Sequence, residues 1–333
     1  MGVGSTLGLL GAAACSTGPA TKTNEAKEAR ALGTSTSSPD GAHPIESPII
    51  TEIAWRTYHI SEYGMDSLFW IEGEDRAMLI DTGTGTFDVP AFIAANFGAK
   101  PYDVVLTHGH VDHAGGMFQF KEVYLNEADV ELALGNTVEE RQNYVDIMVA
   151  QSGGAFALGP DMVVGGQDPR SDAPRFLPLR DGDVFDLGGR ALEVVFTPGH
   201  TAGSCSLLDR ESRILFSGDA CNENTLLTPF GGADEDEVSD DQCVSGLKRS
   251  AERMLALSDD FDRNVNGHVG YASRLAFVSQ APEVIPECIE LCQDILDGRV
   301  VGEEQMGIAG TPNLVARSKG GAMQIQYLPW QVK

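Results

Sequence analysis

The order of predicted elements places this chain in the α+β class, as two mixed sheets packed face to face with helices outside. Three observations point there. Strand-like runs come first, helical periodicity follows, and the same order repeats in the second half. The strand-like runs at 101–110, 191–200 and 205–220 each end near a histidine or aspartate beside glycine. No Gly-x-Gly-x-x-Gly or Walker A run follows the strands at 76–81 or 102–107, which removes dinucleotide-binding and P-loop readings.

The elements follow in order. TEIAWRTYHI (51–60) reads as one strand, and SLFWIEG (67–73) and RAMLIDTG (76–83) form a hairpin across Glu74-Asp75. VPAFIAANFG (89–98) reads as a short helix. Asp103 to Thr107 form a buried strand, and 121–134 run strand, turn, helix. A helix over 137–150 puts Tyr144, Ile147 and Met148 on one face. It lies within an expected insertion at about 136–174, whose Phe156, Leu158 and Met162 offer apolar contact to a substrate. Strands resume at 191–200 and 205–220, the latter a hairpin turning at Asp209 to Ser212. The acidic run 234–241 is expected to open a helix that continues through LKRSAERMLALS. A helix over 284–296 and a short pair of terminal strands close the chain.

With 333 residues, 42% of them hydrophobic, the chain is long enough to bury a sizeable core. Residues 1–14 are apolar and small, too short to span a bilayer, which takes roughly 20 residues. Ala12-Ala13-Ala14-Cys15 resembles a bacterial lipoprotein cleavage site, and a Ser, Thr and Pro-rich stretch follows. The expectation is a signal-like segment and flexible linker over 1–48, with the folded domain at 49–333. Lipid anchorage at Cys15 would place it outside the cytoplasm of a bacterium, and the alternative is a cytoplasmic tail. The six cysteines show no CxxC spacing and read as buried small hydrophobes beyond Cys15.

The chemistry concentrates in few residues. Only seven histidines occur, and three fall within six residues: His108, His110 and His113, with Asp112 among them. Imidazole and carboxylate are ligands for zinc, iron, cobalt or manganese. His200 follows VVFTPG, Asp219 ends ILFSGD, and His268 lies in NGHVG. One ion could take His108, His110 and His200; another could take Asp112, His113 and His268; Asp219 could bridge them. Two carboxylates and a hydroxide nearly balance two divalent ions.

THGHVDHAGG (107–116), TPGHTAGS ending at Ser204, SGDA (217–220), GHVG (267–270) and LIDTG (79–83) resemble the metallo-beta-lactamase superfamily over roughly residues 50–300. The resemblance implies an αββα sandwich with two metal ions at one edge. It implies the same ligand division, with the bridge at Asp219 and a supporting role for Asp81. True zinc beta-lactamases lack a bridging aspartate where this chain has Asp219, so the resemblance is to the glyoxalase II-like and lactonase-like branch. Cys221 reads as a neighbour of the site.

The expected function is hydrolysis of a small carboxylic ester, thioester or lactone by a metal-activated hydroxide, with Asp112 and Asp219 as ligands positioned to accept a proton. Zinc is the first expectation, with iron or manganese as alternatives. Competing readings are a phosphodiesterase, an iron-dependent sulfur dioxygenase and a non-catalytic metal-binding or sensory protein. Nucleic acid is disfavoured as a partner. The net charge is -26, and no Lys or Arg lies in 107–116, 198–204 or 217–229.

Overall fold

The computed structural model describes residues 30–31, 45–152, 158, 162–227, 238–268, 284–307 and 311–333. Cys15, most of the expected linker, Phe156 and the acidic residues 234–237 lie outside the described residues.

The first sheet has eight strands in chain order, β1 (Arg30–Ala31), β2 (Ile49–Ala54), β3 (Thr57–Glu62), β4 (Asp66–Glu72), β5 (Ala77–Ile80), β6 (Tyr102–Val105), β7 (Glu122–Leu125) and β8 (Arg175–Pro178). Its first half is antiparallel, and β5 to β8 run parallel. The second sheet orders its five strands β14 (Arg263–Asn266), β12 (Ile214–Gly218), β11 (Cys205–Asp209), β10 (Ala191–Phe196), β9 (Val184–Asp186).

Alternation along the strands builds the layers. In β4, Phe69 and Ile71 join Ile214 and Phe216 of β12 in a core between the sheets. Leu68 and Trp70 point the other way, toward Val89 and Ile93 of helix α1 (Val89–Phe97). Leu208 and Leu215 of the second sheet pack beneath α5 (Val244–Ala256) and α6 (Val284–Leu296). The expected sandwich, helix, sheet, sheet, helix, is therefore present. Phe216 is fully buried against Phe69, and deleting such a ring typically costs about 3–5 kcal/mol.

Three expectations need correction. The strand read over 51–60 is two strands, because the chain reverses at Trp55-Arg56, where Arg56 takes φ 52°. A non-glycine turn residue gives no warning of this. The acidic run does not form the first turn of α5: that helix starts at Val244, with the Cys243 thiol accepting from Gly246 N–H. The closing pair of strands is part of a third sheet, ordered β13 (Asn224–Leu226), β17 (Gln324–Tyr327), β16 (Pro312–Arg317), β15 (Glu303–Met306). Its partner β13 is three residues long and distant in sequence, so no local pattern reveals it.

Candidate metal centre

The strand ends gather at one edge. Asp81 follows β5 and His108 lies just beyond β6; His200, Asp219 and His268 follow β10, β12 and β14. The strands β10, β12 and β14 run in the same direction, so their carboxyl ends meet. Asp112 and His113 sit in a single helical turn, α2 (Val111–Ala114), with His110 at its start. Close backbone approach makes this possible: a Cβ at Gly267 would lie 2.1 Å from His113 Cε1, and one at Gly116 2.4 Å from the Thr82 carbonyl oxygen.

All seven expected ligands converge. His108, His110 and His200 form one group; His113, Asp219 and His268 form another; His108, Asp112 and His113 link them, with ligand atoms within 4.8 Å in each. His110 Nδ1 lies 2.8 Å and His108 Nε2 3.2 Å from His200 Nε2. Ligands at zinc–nitrogen distances on tetrahedral corners stand roughly 3.3 Å apart, close to this spacing. His268 Nε2 is 3.0 Å from Asp219 Oδ2 and 3.3 Å from Asp112 Oδ2. Asp219 Oδ2 is also 3.9 Å from His200 Nε2, so this carboxylate faces both groups.

The surrounding hydrogen bonds fix which nitrogen three of these histidines present. His113 Nδ1 donates to Asp81 Oδ2 at 2.8 Å. Thr107 Oγ1 donates to the same oxygen at 2.8 Å, so it accepts from His108 Nδ1 at 3.1 Å. Asp81 Oδ1 takes the Thr107 N–H at 2.7 Å. His200 Nδ1 donates to the Leu226 carbonyl. The Nε2 atoms of His108, His113 and His200 are thereby turned inward.

Two further observations fit divalent ions. Among the described residues, His113 Nε2 and Asp219 Oδ1 are buried without a hydrogen-bond partner, 3.6 Å apart. A buried polar atom left unmade is costly, and a cation between the two satisfies both. The electrostatics divide the site. Burial pushes His108 well below its ordinary value and His110 down to about 3, each reinforced by neighbouring histidines. Burial opposes protonation of His113 too, but Asp112, Asp219 and Asp81 outweigh it and lift it to about 9. His268 is likewise raised well above its ordinary value, Asp219 and Asp112 outweighing burial.

Sequence reasoning missed several supporting residues. Asp129 is buried and accepts from Gly109 N–H at 2.9 Å, Gly203 N–H at 2.7 Å and the Thr201 hydroxyl at 2.6 Å, tying the His108 and His200 loops together. Asp66 accepts from the Thr84 hydroxyl at 2.7 Å, and Tyr144 reaches both Asp66 and Asp112. Glu62 is fully buried and takes the N–H groups of Thr84 and Thr86. Burial raises the carboxyls of both Glu62 and Asp66. An acid two residues before the apolar run Leu68 to Ile71, as Asp66 is at the start of β4, was the available signal. Cys221 is buried and belongs to none of the ligand groups among the described residues. Leu158 and Met162 pack beside Tyr63, Val111 and Tyr144 in a small apolar cluster next to the site.

Comparison with known proteins agrees with this geometry. The sequence profile of the "Metallo-beta-lactamase superfamily" matches residues 64–261. The chain is 32% identical over 188 residues to a Bos taurus protein named acyl-coenzyme A thioesterase MBLAC2, covering 53% of this chain and 65% of that one. The Gallus gallus protein of the same name is 31% identical over 204 residues, covering 58% of this chain and 72% of that one. The chain thus spans just under two thirds of the bovine relative's length. The fold is shared with the stereoselective inverting sec-alkylsulfatase Pisa1 from Pseudomonas sp., at TM-score 0.55 and 18% identity, over 75% of this chain and 42% of that one.

Proposed function

The chain belongs to the metallo-beta-lactamase superfamily, and on that premise we propose that it is a dinuclear metal-dependent hydrolase of a small carboxylic ester, thioester or lactone. The observation that carries the reading is the buried, unpartnered pair His113 Nε2 and Asp219 Oδ1 at the meeting point of the ligand groups. His108, His110 and His200 would hold one ion through ring nitrogens. Asp112, His113 and His268 would hold the other, with Asp219 shared. Divalent ions bound there supply an activated water and polarise a carbonyl oxygen. The nitrogen-rich donor set suits zinc best.

The chain's own residues set the rest. Asp81 and the Leu226 carbonyl keep three imidazoles in the tautomer that faces inward. Asp112 and Asp219 are read as ligands first, and Asp112 or Asp219 would accept a proton as the carbonyl is attacked. The printed name of the bovine and chicken relatives favours a thioester among the carbonyl substrates. The net charge of -26 disfavours polyanions such as RNA.

The test is kcat/KM for small thioesters and lactones against nucleotide diesters and short RNA at physiological salt. Higher efficiency on the carbonyl substrates is expected. Higher efficiency on diesters or RNA overturns the substrate class and leaves the metal assignment intact. We also read 49–333 as the metal-bearing domain and Cys15 as its lipid anchor, supported by the Ala12-Ala13-Ala14-Cys15 run. Cell fractionation that recovers an intact N-terminus in the soluble cytoplasm removes the anchor.

A further inference from the structure

Helix α4 (Val138–Gln151) buries one stripe, Arg141, Tyr144, Val145 and Met148. Its polar members face the metal motif. Arg141 donates to the Gly115 carbonyl at 3.1 Å and to the Val164 carbonyl at 3.0 Å, which locks the helix beside α2. One turn on, the Tyr144 hydroxyl lies 3.1 Å from Asp112 Oδ2, the oxygen that also meets His268 Nε2 at 3.3 Å. The same hydroxyl lies 2.9 Å from Asp66 Oδ1, and Asp66 Oδ2 is taken by Thr84. Tyr144 is 4% exposed and Asp66 2%, so bulk water has little access to replace a lost hydroxyl.

We propose that Tyr144 is a positioning residue of the metal centre: its hydroxyl, braced by Asp66, fixes the Asp112 carboxylate for the ion held with His113 and His268, and leaves the all-histidine group untouched. The inference rests on the dinuclear reading above. A carboxylate on a short side chain rotates about its terminal bond with little cost, and one fixed donor selects a single orientation. Partners of this kind typically carry about 10–100-fold of metal affinity.

The test is stepwise cobalt titration of the metal-free full chain, read by visible absorption and by calorimetry, for wild type, Tyr144→Phe and Met148→Ala. Wild type is expected to take two ions in resolvable steps. Tyr144→Phe should weaken one step by about 10–100-fold and change its absorption envelope, with the other step unchanged. Met148→Ala loosens the same helix without removing the hydroxyl, so it should not separate the two steps. Equal affinities for both steps in Tyr144→Phe and wild type overturn the proposal. So does equal weakening of both steps, which marks a merely structural role. If the wild-type chain takes up a single ion, the dinuclear reading falls and the proposal falls with it.

Discussion

The all-histidine group and the mixed group share one edge of the sandwich but are held by different means. His108 and His200 lean on a threonine hydroxyl and a backbone carbonyl. The mixed group leans on buried carboxyls: Asp81 on His113, and Asp66 through Tyr144 on Asp112. In the first group burial and neighbouring histidines hold His108 well below its ordinary value and His110 down at about 3. The second is an internally neutralised salt-bridge cluster, with His113 lifted to about 9 by the acids around it. An ion entering the first group meets unprotonated His108 and His110. An ion entering the second has to displace protons.

The largest expected effect breaks the first group. His110→Ala should lower kcat/KM by more than about 100-fold, the upper range for outer partners of a ligand, because a ligand itself is lost. Circular dichroism should show an unchanged fold, since His110 belongs to none of the apolar cores. Retained activity would remove His110 from the site.

A smaller effect loosens the scaffold under that same group. Asp129→Ala strands the N–H groups of Gly109 and Gly203 in the interior. Each buried orphan costs about 1–3 kcal/mol, so denaturant unfolding should show a loss of at least about 2 kcal/mol. An unchanged midpoint would mean that water replaces the carboxylate.

The smallest effect is a proton count, and it sharpens the contrast most. At neutral pH the second group should release protons on loading, from His113 and His268, because both are raised above their ordinary value in the metal-free chain. His108 and His110 of the first group should release almost none. The sign follows: acidification from pH about 9 to about 6 protonates His113 and His268 and weakens loading of the mixed group, while His108 and His110 stay unprotonated. Calorimetry in two buffers of different ionisation enthalpy reads this directly, and equal release from both steps would contradict it.

The same contrast explains what was legible in the sequence. The candidate ligands are titratable side chains that stand beside glycine just past apolar strands, so the residues that converge, His108 to His113, His200, Asp219 and His268, were readable one by one. The layers were readable from alternation, as in Leu68 to Ile71. Supporting residues obey no such rule. Tyr144 reads as one more apolar position on a helix face, and Asp129 as an ordinary acid beside a short helix. Their roles arise from contacts 32 and 72 residues away in sequence, which no local pattern encodes. The third sheet was hidden for the same reason, since β13 pairs with β17 across some hundred residues.

The central claim is that the seven side chains hold two ions. Metal analysis by plasma emission on full-length protein, purified without added metal and then titrated to constant activity, tests it most directly. Two divalent ions per chain are expected at the plateau, zinc in the larger share. One ion per chain in fully active protein would contradict it.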